Sequence, residues 1–539
     1  MTREWWRDAV VYQIYPRSFQ DSNGDGIGDL EGIISRLDYL NDGTEDSLGV
    51  DAIWLSPTFP SPMKDFGYDV SDYCAVHPDF GTMETMDRLI RECHRRNIRV
   101  LLDWVPNHTS DQHPWFVESR GSKENPKRDW YYWRPAKPDG SLPNNWRAAF
   151  GGAAWTLDET TGEYYLHSFL KEQPDLNWRN PEVERAMMDV LRFWFERGVD
   201  GFRIDVIGMI IKQTDLADNP PNPEWKPGDR ERYSVLWVNN RNYPEVYDAV
   251  KRIRATFDEF PEKMAVGEVF GTATEISRYY GENNHPGLHL AFNFQFIHEN
   301  DVHRTPWDAE TMKQIVRNAE ASIPPGGQPC FAFANHDRAR FISRHNDDGR
   351  GLERARAAGL LLLSLHSTPF MYYGEEIGME DNDEIPGDRL QDPARFRSIG
   401  RDPERTPMQW NDGDGRGFTN AEPWLPFGRK DRNVENQASD TGSLLSLYRR
   451  ALWLRKRTPA LQAGGYRELD SPEGSWLFER ALEGSPPVYF ALNTSLDVRQ
   501  IELPQPACVS IATEAGLEST IAVRSLELPA LAAAILVAD

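Results

Sequence analysis

A carboxylate and a cation two residues apart are the first candidates for chemistry in this chain. In Gly201-Phe202-Arg203-Ile204-Asp205-Val206, apolar and polar residues alternate. Arg203 and Asp205 therefore face the same side of a short strand. A guanidinium beside a carboxylate lowers its pKa and keeps it ionised. Such a pair can serve as a nucleophile with its electrostatic partner, but taken alone it reads first as a structural ion pair. Asp200-Gly201 in front of it reads as a tight turn into the strand.

Other carboxylates stand at the ends of other apolar segments. Asp103 closes Ile98-Arg99-Val100-Leu101-Leu102, Glu268 follows Met264-Ala265-Val266-Gly267, and Asp337 follows Phe331-Ala332-Phe333-Ala334-Asn335-His336. His108 and His336 lie on the adjoining loops. No Ser or Cys triad signature and no phosphate-binding glycine loop accompanies them. Paired carboxylates are the equipment of glycoside hydrolysis, in which one attacks carbon and the other moves a proton. Each acid alone reads first as structural. Their shared place at strand ends is what points to a site.

A second cluster lies near the N-terminus, in Asp21-Ser22-Asn23-Gly24-Asp25-Gly26-Ile27-Gly28-Asp29. Oxygen donors at alternate positions (Asp21, Asn23, Asp25, the Ile27 carbonyl, Asp29) match a calcium loop, with glycines permitting the bends. The twelfth position, Gly32, lacks the closing glutamate of an EF-hand. The expectation is one structural calcium, with magnesium as the alternative, and no cofactor for catalysis.

The elements that must position these groups follow a simple alternation. Continuous apolar strands are expected at residues 10–15, 51–57, 98–103, 201–206, 264–268, 290–294, 331–334 and 369–373. Between them, helical spacing appears near 30–40, 82–97, 181–197, 246–257, 309–319, 352–365 and 443–455. Apolar strands alternating with helices argue for a parallel sheet covered on both faces, and eight such units make a (β/α)8 barrel. Functional residues of that fold gather at the carboxyl ends of the strands. From 105 to 174 the alternation stops in favour of Trp, Tyr, Pro, Gly and Asn, which marks an inserted domain or lid. Short apolar segments after 459 suggest an antiparallel β-sandwich. The expected division is 1–104 and 175–458 for the barrel, 105–174 for the insertion, and 459–539 for the C-terminal domain.

Composition narrows the partners. A chain of 539 residues with 39% hydrophobic content is globular, and its net charge of −24 argues against nucleic acid. The 18 tryptophans suit sugar stacking but also ordinary core. Cys74, Cys93, Cys330 and Cys508 are scattered without metal or redox spacing, as expected of free thiols in a reducing compartment. The first residues show no signal-peptide core, and the longest apolar run, near 360–365, is too short to span a membrane. A cytoplasmic enzyme acting on a small molecule is the expectation; oligomeric state is not legible.

Taken together, Asp103-Trp104-Val105-Pro106-Asn107-His108, Gly201-Phe202-Arg203-Ile204-Asp205, Gly267-Glu268-Val269-Phe270 and Phe333-Ala334-Asn335-His336-Asp337 resemble the four signature regions of the α-amylase superfamily of glycoside hydrolases. Gln173-Pro174-Asp175-Leu176-Asn177-Trp178 resembles the fifth. The resemblance implies Asp205 as nucleophile, Glu268 as general acid/base and Asp337 as the carboxylate that holds sugar hydroxyls. It also implies a retaining route, with the attacking and acid/base carboxyls about 5–5.5 Å apart. Arg203 would keep Asp205 ionised, the surroundings of Glu268 would raise its pKa, and His108 and His336 would hydrogen-bond the sugar.

Asp65-Phe66-Gly67-Tyr68 is similar to the exo-acting α-glucosidases and oligo-1,6-glucosidases, in which the aspartate clasps the terminal glucose and the tyrosine stacks on it. Arg405, in Arg405-Thr406-Pro407-Met408-Gln409-Trp410, matches the arginine completing that clamp, and Phe150 and Phe169 would wall the pocket. Val206 resembles the α-1,6-cleaving members, although Gly208 stands where they carry Asn or Asp. The long segment 212–242 would shape the aglycone site. An α-1,4 preference, or a transglycosylase or isomerase such as a sucrose isomerase or trehalose synthase, is the alternative. Against the sucrose isomerases, Arg395-Phe396-Arg397-Ser398 lacks their Arg-Leu-Asp-Arg-Asp pattern. A non-catalytic ancillary barrel is a distant third reading.

Overall fold

The computed structural model describes residues 3–282, 285–297, 304–392 and 400–538; Arg395 to Ser398 lie outside them. Eight parallel strands close into a barrel: β1 (Val11–Ile14), β2 (Ala52–Leu55), β3 (Arg99–Trp104), β7 (Gly201–Ile204), β8 (Met264–Gly267), β11 (Leu290–Asn293), β12 (Cys330–Ala332) and β13 (Thr368–Tyr372), which returns to β1. β4 (Trp133–Arg134), β5 (Trp155–Asp158) and β6 (Glu163–Leu166) form a three-stranded antiparallel sheet between β3 and β7. β9 (Gly281–Glu282) and β10 (His285–Pro286) form a two-residue ribbon.

Side chains sort by strand parity. Val11, Trp54, Leu101, Val266, Phe292, Ala332 and Phe370 pack inside the barrel, while Ile53, Leu102, Phe202, Ile204 and Ala265 face the helices. Strand β7 is the exception within. Its inward positions are Gly201 and Arg203, so a guanidinium enters the layer that other strands fill with apolar groups. Register then fixes its neighbours: Asp103 lies opposite Arg203, and Ile204 pairs with Gly267, immediately before Glu268. Gly201 lies within the strand rather than in a turn. A Cβ there would meet the Met264 carbonyl at 2.3 Å, so close backbone approach, not turning, demands the glycine.

The surrounding helices begin where capping residues stand. Thr82 caps Met83–Arg95, Asn180 caps Pro181–Glu196 with proline in the first turn, and Asp308 caps Ala309–Ser322. The expected single helix over 30–40 breaks into Leu30–Ser35 and Leu37–Leu40.

The C-terminal domain is antiparallel, in the order β14 (Gly465–Leu469), β15 (Ser475–Ala481), β16 (Val488–Asn493), β19 (Ala533–Ala538), β17 (Arg499–Ala512) and β18 (Val523–Leu528). Register breaks in β17 let its first half and β18 fold over the rest. Ile501, Leu503 and Leu528 thus pack against Leu477, Tyr489 and Ala491 as the inner face of a sandwich.

Two buried arginines join this domain to the barrel. Arg480 of β15 donates to the carbonyls of Gly464 (2.7 Å) and Ser364 (2.8 Å), and Arg455 donates to those of Leu363, Leu461 and Ser367. Those of Leu363, Ser364, Leu461 and Gly464 lie at helix ends, where backbone carbonyls lose their intrahelical partners. Replacing Arg480 by Met leaves two of them unsatisfied in the joint. The expected loss is about 2–4 kcal/mol of unfolding free energy, read by denaturant titration, and an unchanged midpoint refutes the joint.

Candidate functional site

At the carboxyl end of the barrel, one guanidinium serves three acids. Arg203 Nη1 lies 2.8 Å from Asp103 Oδ1 and 2.6 Å from Asp205 Oδ1, and its Nη2 lies 2.6 Å from Glu268 Oε2. All four residues are buried. Burial pushes the Asp205 carboxyl well above the usual range and the Asp103 carboxyl up to about 6; Arg203 opposes both, and Glu268 adds to both. Arg203 favours the ionised form of Asp205, against burial and the neighbouring Glu268 and Asp103. Its attraction is divided among three partners, and two like charges surround each acid. Asp103 and Asp205 therefore feel each other's charge around the one cation they share. Nor is Glu268 set apart in an apolar pocket, since it shares the same cation.

Val206, directly after Asp205, adopts φ 35° and ψ 43°, the left-handed region. A β-branched residue there is strained, and no sequence signal announces it. The kink turns its N–H onto Glu268 Oε2 at 3.1 Å and leaves its side chain on the cavity wall.

Two cations meet the acids of the closed end. Arg401 reaches Asp65 (2.5 Å), Asp337 (2.9 Å) and Asp392 (2.9 Å). Arg405 instead donates to the His336 carbonyl (2.7 Å) and to Asp337 Oδ1 (3.0 Å). The clamp on Asp65 is thus made by Arg401, not by Arg405. Both arginines precede the Thr406-Pro407 motif, one turn apart, and spacing cannot choose between them. Burial works against ionisation of Asp337, but His336, Arg401 and Arg405 outweigh it and hold the carboxyl well below its ordinary value. Asp65 is further tied to the Gln173 amide at 3.0 Å.

The imidazoles are neutral. Burial lowers His108 to about 4 and His336 to about 3. Gln13 donates to Nδ1 of His336 at 2.8 Å, which puts the ring proton on Nε2, facing the Tyr68 hydroxyl (2.7 Å) and Asp337 (3.2 Å). Tyr68 stacks on that ring at 5.3 Å and donates to Asp103 at 2.9 Å. His336 is fully buried behind Tyr68, so it acts on the cavity through its partners. His108 does reach the wall, and packs against Phe169 at 5.1 Å. Phe169 in turn packs against Phe150, over which Arg401 lies at 5.2 Å.

Asp65, Tyr68, His108, Phe150, Phe169, Val206, Asp205, Glu268 and Asp337 therefore line one cavity of about 280 Å³. That is the scale of a small ligand, not of a polymer groove. The segment 212–242 covers its other side with Asn222, Tyr233, Leu236 and Trp237.

A buried lysine locks the inserted domain to the barrel. Lys212 Nζ donates to Asp175 (2.7 Å), Asn107 Oδ1 (2.7 Å) and the Met209 carbonyl (2.6 Å), and Asp175 also takes the Ser168 N–H (2.8 Å). Neither member of the pair is exposed.

The N-terminal loop is curled on its own donors. Asp21 accepts the N–H groups of Asn23, Gly24 and Gly26, Asn23 accepts that of Asp25, and Asp25 accepts that of Ile27. Asp29 departs from the set: it caps Leu30–Ser35 through Gly32 and takes Ser22 on both oxygens. The donors are all hard oxygen, the chemistry that suits calcium or magnesium. Among the described residues, no three His, Cys, Asp or Glu side chains are grouped as metal ligands.

Comparison with known proteins gives a consistent set. A family model described as "Alpha amylase, catalytic domain" matches residues 13–464. The chain is 43% identical over 543 residues to a probable alpha-glucosidase of Rhizobium meliloti, covering 98% of this chain and 96% of that protein. It is 40% identical over 497 residues to an oligo-1,6-glucosidase of Parageobacillus thermoglucosidasius, covering 86% of each. Among solved structures, an alpha-glucosyl transfer enzyme, XgtA, superposes with a TM-score of 0.91 at 38% identity, over 100% of both chains. The trehalulose synthase MutB of Pseudomonas mesoacidophila does so with a TM-score of 0.89 at 33% identity, again over 100% of both.

The lysine joint is directly testable. Replacing Lys212 by Met strands Asp175 as a buried, unpaired charge, and the expected cost is about 3–5 kcal/mol. Limited proteolysis should then cut first within 105–174, and wild-type resistance there refutes the joint.

Proposed function

The chain belongs to the alpha-amylase family of glycoside hydrolases, and from that premise we propose that it is a retaining exo-α-glucosidase of short oligosaccharides with a preference for α-1,6 bonds. The observation that carries the reading is the closed end of the cavity, where Arg401 binds Asp65 and Asp337 into one rigid acceptor set. A terminal glucose offers hydroxyl donors to those oxygens and to neutral His108, with Tyr68, Phe150 and Phe169 as apolar walls. A chain can enter such a dead end only by its non-reducing terminus.

In the proposed reaction, an Asp205 oxygen attacks C1 while Glu268 gives a proton to the departing glycosidic oxygen. The C1–O bond breaks, and a β-glucosyl ester forms on Asp205. Water, giving its proton back to Glu268, then attacks C1 and releases α-glucose, so one water is consumed per bond. The placement of Asp205 and Glu268 on the two nitrogens of one guanidinium, Arg203, supports this pairing of an attacking with a proton-moving carboxyl. Val206 offers the leaving sugar bulk and no side-chain hydrogen bond, which supports α-1,6 over α-1,4.

Where a sugar replaces water, the same intermediate gives transfer, and the likeness to an alpha-glucosyl transfer enzyme and a trehalulose synthase supports that second outcome. No described helix is long and apolar enough to cross a membrane. None of the four cysteines is joined in a disulfide, which supports a reducing, cytoplasmic setting.

The deciding measurement is product analysis on isomaltose, maltose, sucrose and trehalose. Isomaltose should be the fastest, and Asp205→Ala should lower kcat by about a thousandfold or more. Faster maltose turnover removes the α-1,6 preference, and an active Asp205→Ala removes the mechanism. For the loop at 21–29 we propose a structural calcium ion held by Asp21, Asn23, Asp25 and the Ile27 carbonyl, with Asp29 engaged as the cap of Leu30–Ser35 and magnesium as the alternative ion. Chelation should then lower Tm by several degrees, and calcium should restore it; an unmoved Tm overturns the site.

A further inference from the structure

The two ends of the cavity differ in charge. The acids that line it, Asp65, Asp205, Glu268 and Asp337, come from the barrel strands and their adjoining loops, where Arg203, Arg401 and Arg405 offset them. The segment 212–242 instead turns Arg232 and Arg241 toward the cavity and contributes no carboxylate to its lining. Arg338, next to Asp337, adds a third guanidinium. In a chain of net charge −24, a cavity lined by these three arginines as well as Arg401 runs against the general trend.

These arginines are not equivalent. Arg232 donates to the Ala149 carbonyl at 2.8 Å and lies over the Tyr233 ring at 4.6 Å. Arg241 is part-buried in the cavity wall and makes no hydrogen bond or ion pair among the described residues. A guanidinium has five N–H donors in a planar fork and no other use for them. Held partly out of water beside a cavity, it gains most from an acceptor that enters with the substrate. Carboxylate and phosphate match the fork in two parallel hydrogen bonds, whereas a lone hydroxyl fills only part of it.

We propose that the aglycone site takes α-glucosides whose leaving group carries a carboxylate or phosphate, with Arg241 as its bidentate partner. Arg232 and Arg338 supply the surrounding positive field, and Trp237 is an apolar wall. The proposal rests on the glucosidase reading and adds the class of leaving group. The reaction is unchanged: one water is consumed, glucose leaves from the closed end, and a hydroxy acid or phosphate ester leaves from the open one.

The test compares isosteric substrates. Isomaltobionate and isomaltitol present the same α-1,6-linked glucose on an open-chain aglycone that ends in a carboxylate or a neutral hydroxymethyl. Isomaltose with and without a phosphate monoester on its reducing glucose forms the second pair. In wild type, kcat/KM should favour the anion by about tenfold in at least one pair, the pair identifying which anion is used. The ratio should fall toward unity in Arg241→Gln and at high ionic strength, while Arg241→Lys, which keeps charge without the fork, retains part of it. An anionic-to-neutral ratio at or below unity in wild type overturns the proposal, as does an Arg241→Gln variant that slows both members equally. If isomaltose and maltose are cleaved normally while the ratio is flat, only this proposal fails. If neither neutral disaccharide nor any of the glucosides is cleaved, the glucosidase reading fails and takes it along.

Discussion

The site depends on a single buried cation. Arg203 occupies an inward position that neighbouring strands give to Trp54, Val266 and Phe292. Removing a guanidinium from water is costly, and only closely placed negative charge offsets it. The offset here comes from three carboxylates on three adjacent strands, so barrel register and electrostatics are the same constraint. Shifting β7 by one residue would point Phe202 and Ile204 inward and leave Asp103 and Glu268 without their cation. Gly201 makes the arrangement possible by letting β8 approach to a distance that no side chain would permit. Faces of Trp54 and Tyr68, at 5.2 and 5.6 Å, cover the guanidinium plane.

Ion pairs also divide the molecule into a stiff part and an adaptable part. Arg401 draws together Asp65 from the loop after β2, Asp337 from the loop after β12, and Asp392. Lys212 and Asp175 fix the inserted domain at zero exposure. The closed end is thus assembled from buried charges with little freedom to move. The segment that covers the open side is different in kind: Leu236 is 40% and Val238 52% exposed. A fixed recognition end for the unit that is always the same, and an irregular loop where the partner varies, is the usual division of labour between scaffold and loop.

What the sequence made legible follows from what is local in it. All eight barrel strands could be read because each is a short apolar run, and the carboxylates stood out because they end those runs. The pairing of arginines could not be read. Arg401 and Arg405 lie four residues apart on one short turn, and only the folded chain decides which meets Asp65. The sharing of Arg203 among three acids likewise needs the register of β3, β7 and β8 together. In the inserted domain, the strands β4 to β6 escaped notice because they are only two to four residues long and lie among Trp, Tyr, Pro and Gly residues that read as irregular. The glycine before the key strand was legible as a glycine, but its reason lay in a carbonyl of a strand 63 residues away.

Val206 is where these constraints meet. A β-branched residue in the left-handed region costs on the order of 1–3 kcal/mol, and such strain persists only when the surroundings over-determine it. Here they do so twice. The kink ends β7 abruptly, so that Asp205 stays beside Arg203 while the chain turns away over the barrel mouth. It also aims the Val206 N–H at the same Glu268 oxygen that Arg203 holds, which fixes that oxygen from two sides. With Oε2 occupied in this way, Oε1 is the Glu268 oxygen left to act on a ligand in the cavity. The side chain that bears the strain is at the same time the wall against which the leaving group would lie. Substitutions at this position therefore act on two things at once, the shape of the aglycone site and the aim of the carboxyl beside it, and a change in linkage preference there need not come from bulk alone.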